Sequence, residues 1–164
     1  MPIRLAQASD LPQIVAIYNA SIPGRLATAD TEPVTVAARE PWFRDFNPPT
    51  RPLWLFVAPD DEVVGWLSLR SFYGRPAYGK TVEVAVYTAP SAQRRGIGST
   101  LLAHALEAAP AAGIRTVLAF VFAHNQPSLR LFANARFVHW GRLPRIAELD
   151  AVERDLDILG RRLD

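Results

Sequence analysis

Two spacings of apolar residues alternate along the chain. Leu11, Ile14, Val15, Tyr18 and Ile22 recur three and four residues apart, which predicts a helix over "SDLPQIVAIYNASI" with one buried face. Asp10 can cap it, Gln13 has capping-box spacing, and Pro12 suits a first turn. Before it, "IRLAQ" reads as a short strand. After it, "PGRLATADTEP" reads as a long polar loop. A second helix follows Thr35 through "VAAREPWFRDF", where Pro41 predicts a kink or an early end. "NPPTRP" is a rigid loop.

The period then shortens. "LWLFVAP", "EVVGWLSLRSF" and "TVEVAVYT" read as three strands, the first two joined by a turn at Asp60–Asp61. Leu101, Leu102, Ala105 and Leu106 restore helical spacing, and Pro110–Gly113 end that helix. "RTVLAFVF" is almost continuously apolar, the pattern of a strand covered on both faces. Asn125 can cap the next helix, with Pro127 in its first turn. "RFVHWGRL" and "ERDLDIL" are final strands. The order β, α, α, three strands, α, β, α, β, β predicts one α/β domain over 1–164 with a mixed sheet. No repeat or low-complexity linker divides it.

Composition narrows the function classes. The chain has 164 residues, 49% hydrophobic and 21% charged, a globular balance. A net charge of +2 is too mild for a nucleic-acid face. The arginines cluster only at Arg94–Arg95, placed to meet a small polyanion, and at Arg161–Arg162, read as a solvated terminus. The absence of cysteine excludes disulfides and thiolate chemistry. No run reaches the roughly 18 apolar residues of a membrane span. "MPIRLAQASDL" lacks the apolar segment of a signal peptide. The expectation is a cytoplasmic protein that meets neither nucleic acid nor membrane.

The chemistry-bearing stretch is "VYTAPSAQRRGIGSTLL": a strand, a loop with two glycines, then a helix. A helix N-terminus offers unsatisfied N–H donors and partial positive charge to an anion. Gly96 and Gly98 allow close approach, Arg94 and Arg95 add charge, and Ser99 adds a hydroxyl. The same glycines also suit a tight turn with no ligand, and spacing alone does not separate the two. It does exclude a Walker loop, which needs Gly-Lys-Ser/Thr, and a dinucleotide fingerprint, whose third small residue is here Leu101.

The strand–"QRRGIG"–helix unit resembles motif A of the GCN5-related N-acetyltransferases, whose amides there hold the pyrophosphate of acetyl-CoA. "AIYNASI", "ADTEP", "WF", "AYGKTVEVAVYT", "QRRGIGSTL" and "NQPSLRLF" are similar to the phosphinothricin and methionine-sulfoximine acetyltransferases of that family. The resemblance implies that Gln93, Arg94, Arg95, Gly96, Ile97, Gly98 and Ser99 hold the pyrophosphate. It implies that the backbone of Val86 and Thr88 pairs with the pantetheine arm, which Asn125 and Ser128 also contact. It further implies acetyl-CoA as co-substrate with no metal, a small amino-acid-like amine as acceptor, and a homodimer.

Amide formation needs a neutral amine, so a base is useful. Glu83 stands in "TVEVAVY" on the strand face of Ala85 and Tyr87, opposite that of Val82, Val84 and Val86. It is either a glutamate on a solvated sheet face or a base placed beside small Ala85. The resemblance implies the base, acting directly or through a water. It places Phe132 where the family carries a tyrosine proton donor, and phenylalanine has no proton to give; His124 is the candidate substitute. His104 and His139 read as structural, and the four tryptophans as core or pocket wall. "GRPAYGKTVE" matches the subgroup's acceptor loop, so Arg75 is either a carboxylate partner or a surface arginine, and Tyr78 is a pocket wall. "PRIAELDAVERDL" departs from the subgroup except at Asp155. Two other functions stay open: a non-catalytic acyl-CoA sensor, favoured by Phe132, and acetylation of a protein or peptide amine.

Overall fold

A computed structural model of the chain describes residues 2–164. Seven strands form one mixed, mostly antiparallel sheet with helices on its faces, as the element order predicts. The strands are β1 (Ile3–Leu5), β2 (Leu53–Val57), β3 (Val63–Ser71), β4 (Thr81–Thr88), β5 (Thr116–Phe122), β6 (Val138–Leu149) and β7 (Val152–Arg162). Their order across the sheet is β1-β2-β3-β4-β5-β7-β6. Only β4 and β5 run parallel, and α3 (Ile97–Ala108) makes the crossover between them. The other helices are α1 (Leu11–Ser21), α2 (Val36–Arg44) and α4 (Gln126–Asn134).

The helical stripe of α1 is buried as its spacing predicts, but the start of that helix is built differently. Residues Ala8–Asp10 form a 3-10 turn, and Asp10 does not cap α1. Its carboxylate instead receives two hydrogen bonds of 2.8 Å from the Arg4 guanidinium and one of 2.7 Å from the Gln7 amide. A bidentate cation outcompetes a single backbone N–H for a buried carboxylate. Gln13 likewise leaves the helix end and accepts from the Val63 N–H at 2.9 Å, tying α1 to β3.

α2 begins after Thr35 as expected, and the Thr35 side chain caps it, accepting from Ala38 N at 3.1 Å. The helix runs three residues past Pro41, because Trp42 and Phe43 pack on the core. In α3, Leu101, Leu102 and Ala105 are buried while Leu106 is half-buried. The last two strands are longer than predicted and absorb "PRIAELDAVERDL" into a hairpin. It turns at Asp150–Ala151, both with positive φ, and β6 carries two register irregularities. Of the pair read as a solvated terminus, Arg162 is exposed and Arg161 is half-buried. They lie in β7 and bond Ala135 O at 2.7 Å and Thr116 Oγ1 at 2.9 Å.

The two neighbours of β4 hold it over different lengths. β4 pairs with β3 from Thr88 to Val82. Against β5 it pairs only at Thr81, Val82 and Glu83. Beyond the Glu83–Leu118 pair, β5 stays with β7 and β4 stays with β3, so the sheet splits into a wedge.

Candidate functional site

The wedge is the candidate site. From Val84 onward the β5-facing backbone groups of β4 have no strand partner, and a row of unpaired N–H and C=O groups is a template for an extended ligand. A cleft of about 400 Å³ opens there, lined by Glu83–Tyr87, by Phe120–Phe122 of β5, by Asn125, and by Ser128 and Phe132 of α4. The loop at Leu26–Ala29 closes one side, and Ile146, Ala147 and Leu156 of the last hairpin close another. Val86, Glu83, Asn125 and Ser128 thus stand around one cavity.

At its end β4 leads through a short 3-10 turn, Pro90–Ala92, to the start of α3. Gly96 is the N-cap residue at φ +77°, a left-handed conformation that glycine takes without a Cβ penalty. No side chain caps the helix, so the first-turn amides are left for another acceptor. Arg94 is also left-handed, at φ +61°, and Gln93–Gly96 are exposed. The helix start is held close to the sheet: a Cβ on Gly65 of β3 would come within 2.9 Å of the buried Ile97 side chain. Ile97 therefore offers only its backbone here. The arginine pair diverges from the wedge in part, since Arg95 lines a separate hollow beside Arg4 and Asp61. Ser99 lines a third hollow, between α3 and α4, with Leu131 and Arg161.

Glu83 is half-buried, and among the described residues its carboxylate has neither hydrogen bond nor ion pair. Burial raises its pKa above the ordinary carboxylate value, and the charge of Arg70 opposes that only in part. A carboxylate poised upward and unpaired in a cleft wall has the electrostatics of a proton acceptor.

Asn125 does two jobs. Its Oδ1 accepts from Ser128 N at 3.2 Å and caps α4, and its Nδ2 donates to Leu26 O at 3.1 Å. His124 Nε2 lies 2.8 Å from Arg25 O. A carbonyl only accepts, so that ring nitrogen carries a hydrogen committed to the loop, and the ring stacks on Phe122. His124 is thereby a loop clamp rather than a free proton donor. Phe132 is buried in the cleft wall against Phe137.

The loop after α1 is what sequence reasoning missed. It read as a plain polar connection, yet Arg25 O, Leu26 O and Ala27 O are held by His124, Asn125 and Tyr87, the last donating at 3.1 Å. Behind it, Tyr18 Oη bonds Thr28 Oγ1 at 2.5 Å and donates to Asp30, while Arg39 sits 4.3 Å over the Tyr18 ring. The partners lie 60 to 99 residues apart, so no local spacing signals them.

Arg75 and Tyr78 are not brought to the cleft. Both are on the exposed segment between β3 and β4, where Tyr78 packs edge-on against Phe72 and Arg75 has no side-chain partner among the described residues. His104 packs against Trp54, and His139 lies 3.2 Å from Asp157. Trp54 and Trp66 are core, Trp42 packs on it, and Trp140 lies over Gly160 on the surface.

A split parallel pair with an uncapped helix at its mouth agrees with the family model that this chain matches, the acetyltransferase (GNAT) family, over residues 14–137. The chain belongs to the GNAT family. It is 48% identical over 163 residues to the Bacillus subtilis (strain 168) protein YwnH, whose own assignment as a phosphinothricin acetyltransferase is provisional; the match covers 99% of each chain. An L-methionine sulfoximine/L-methionine sulfone acetyltransferase of Pseudomonas aeruginosa is 29% identical, over 99% of this chain and 94% of that one. Among solved structures, a phosphinothricin acetyltransferase from Sinorhizobium meliloti in complex with acetyl-CoA superposes with a TM-score of 0.93. It is 26% identical, over 99% of this chain and 89% of that one. In this GNAT enzyme acetyl-CoA is the acetyl donor, and the wedge and the bare start of α3 fit such a ligand: an unpaired strand edge for an amide-bearing arm and free N–H groups for a diphosphate.

Proposed function

We propose that the protein moves acetyl from acetyl-CoA to the primary amine of a small amino-acid-like acceptor by direct transfer, with Glu83 as the base. The observation that carries this is the position of Glu83. It is the last β4 residue paired with β5, so its carboxylate stands where the unpaired edge begins and faces the cleft. The edge at Val86 and Thr88 would pair with the pantetheine arm, Asn125 and Ser128 would border it, and the amides of Gln93–Ser99 would hold the diphosphate. Glu83 accepts the proton that the amine loses as its nitrogen bonds to the acetyl carbon and the carbon–sulfur bond breaks. Phe132 supplies no proton, and His124 is committed to Arg25 O, so the thiolate leaves toward solvent.

Release of free thiol from acetyl-CoA, followed over a panel containing glutamate, methionine sulfoximine, methionine sulfone and phosphinothricin, tests this reading. Turnover on at least one small amino acid is expected. Binding of acetyl-CoA with no turnover on any amine would replace the enzyme by an acyl-CoA sensor. The homodimer that the resemblance implies belongs to the same proposal, as does the cytoplasmic location expected from the sequence. Exposed Val138, Trp140 and Ile146 on edge strand β6 are apolar surface that a second copy would cover, which light scattering checks.

A further inference from the structure

Arg75 stands on an exposed loop, and another arginine stands in the β3–β4 ladder itself. Arg70 lies directly opposite Glu83 in the β3–β4 ladder. Trp66, Ser68 and Arg70 of β3 share one sheet face with Tyr87, Ala85 and Glu83 of β4, pair by pair. Directly opposed residues have Cα atoms only about 4.5–5.5 Å apart. Opposite charges so placed normally find each other, yet Arg70 and Glu83 form no ion pair. The Arg70 guanidinium is exposed and has no hydrogen-bond partner among the described residues. Its neighbour Arg51 is spent: that guanidinium donates to Ser71 Oγ at 2.9 Å, Gly79 O at 2.8 Å and Thr50 O at 2.7 Å. Arg70 lines the adjoining hollow with Asp45 and Tyr73 rather than the cleft itself, and it is an unpaired cation that the β3–β4 ladder sets directly across from Glu83.

We propose that Arg70 takes the α-carboxylate of the acceptor while Glu83 takes its amine, so that the site selects free α-amino acids over amines and peptides that lack that carboxylate. An α-amino acid presents one cation and one carboxylate on a single carbon. Two unpaired opposite charges on adjacent strands are the complement of that pair. A guanidinium receives a carboxylate through two parallel hydrogen bonds, which fixes direction as well as position. The carboxylate anchored on β3 turns the amine toward β4 and the wedge. A peptide N-terminus carries an uncharged amide in place of the carboxylate, leaving Arg70 unmatched.

The inference rests on the acetyltransferase reading for its acceptor, and it is tested apart from turnover. Binding of L-methionine sulfone and of its α-carboxamide is measured by calorimetry on the protein saturated with CoA. The acid is expected to bind at least tenfold more tightly than the amide. Arg70→Ala is expected to weaken the acid about tenfold or more and leave the amide unchanged, with Arg70→Lys in between and Arg75→Ala like wild type. In turnover the same loss appears in the acceptor KM, with kcat and the KM for acetyl-CoA within about twofold. Wild type that does not distinguish acid from amide overturns the proposal. So does Arg70→Ala that binds the acid within twofold of wild type, or weakens both ligands alike. Arg70-dependent binding without any thiol release would leave the anchor standing and remove the transferase reading; turnover indifferent to the carboxylate would do the reverse. Arg70 is exposed, so an unchanged melting temperature verifies that its variants fold.

Discussion

Two cross-strand pairs on one face of the β3–β4 ladder behave in opposite ways. Trp66 and Tyr87 are stacked at 4.7 Å, and both polar tips are bonded: the indole donates to Ile14 O at 3.1 Å and the phenol to Ala27 O. Arg70 and Glu83, four residues along on each strand, face each other and bond nothing. The first pair lies where β4 has lost β5, and side-chain packing takes over the work of the missing ladder. The second pair lies where both ladders are intact, so the backbone fixes the strand and the side chains are free for a ligand.

The largest effect is expected at Glu83. Glu83→Gln keeps the shape and removes the base, and transfer is expected to fall about 10²- to 10⁴-fold with acetyl-CoA binding unchanged. Full activity at neutral pH would remove Glu83 from the chemistry. The same change bears on stability with a definite sign. Burial raises the folded-state pKa above 4.5, so the folded protein holds this proton more tightly than the unfolded chain does. The stability linked to it is complete below the unfolded value and is lost as pH rises through the folded one. Glutamine does not titrate, so melting curves of the variant and wild type should differ by a constant amount at low pH. The difference should shift in the variant's favour as pH rises through that window and stay there above it. The acidic limb of kcat/KM in wild type should lie above the ordinary carboxylate range for the same reason.

The stacked pair is predicted to respond the other way. Trp66 is buried against Trp42 and Tyr87, and Trp66→Ala is expected to cost about 3–5 kcal/mol in denaturant unfolding. A loss under about 1 kcal/mol would mean that the pile is not what holds this half of β4.

Much of this was legible in the chain. The element order, the buried stripe of α1, the start of α2 after Thr35, the cap at Asn125 and the glycine-bearing start of α3 are local signals, read within one or two turns. Glu83 was legible as a charge in an apolar strand. Arg70 was not, because it is a charge at the end of a strand until the register sets it against Glu83. The Asp10 cap failed for a related reason, since Arg4 reaches it from β1. Arg75 was open between a carboxylate partner and a surface arginine through its place in a matching loop, and that loop is exposed and outside the β3–β4 ladder that sets Arg70 against Glu83. What sequence spacing misses here is pairing between elements, which is also what assembles the cleft.

The smallest effect expected is the most discriminating between structure and site. Tyr87→Phe keeps the stack on Trp66 and deletes one hydrogen bond, from the phenol to Ala27 O. Burial raises the Tyr87 pKa, so the phenol stays protonated and donating across the working pH range. Its loss should cost about 1 kcal/mol of global stability, the ordinary net worth of one such bond. Its effect on the site should exceed that on the fold, because Ala27 is in the loop that walls the cleft and His124 and Asn125 hold only its preceding residues. A rise in acceptor KM with acetyl-CoA affinity unchanged is therefore expected, together with faster amide exchange over residues 26–30. Equal loss for acceptor and acetyl-CoA would place the phenol in support of the whole wedge. No kinetic change at all would mean that the Tyr18, Thr28 and Asp30 contacts hold the loop without it.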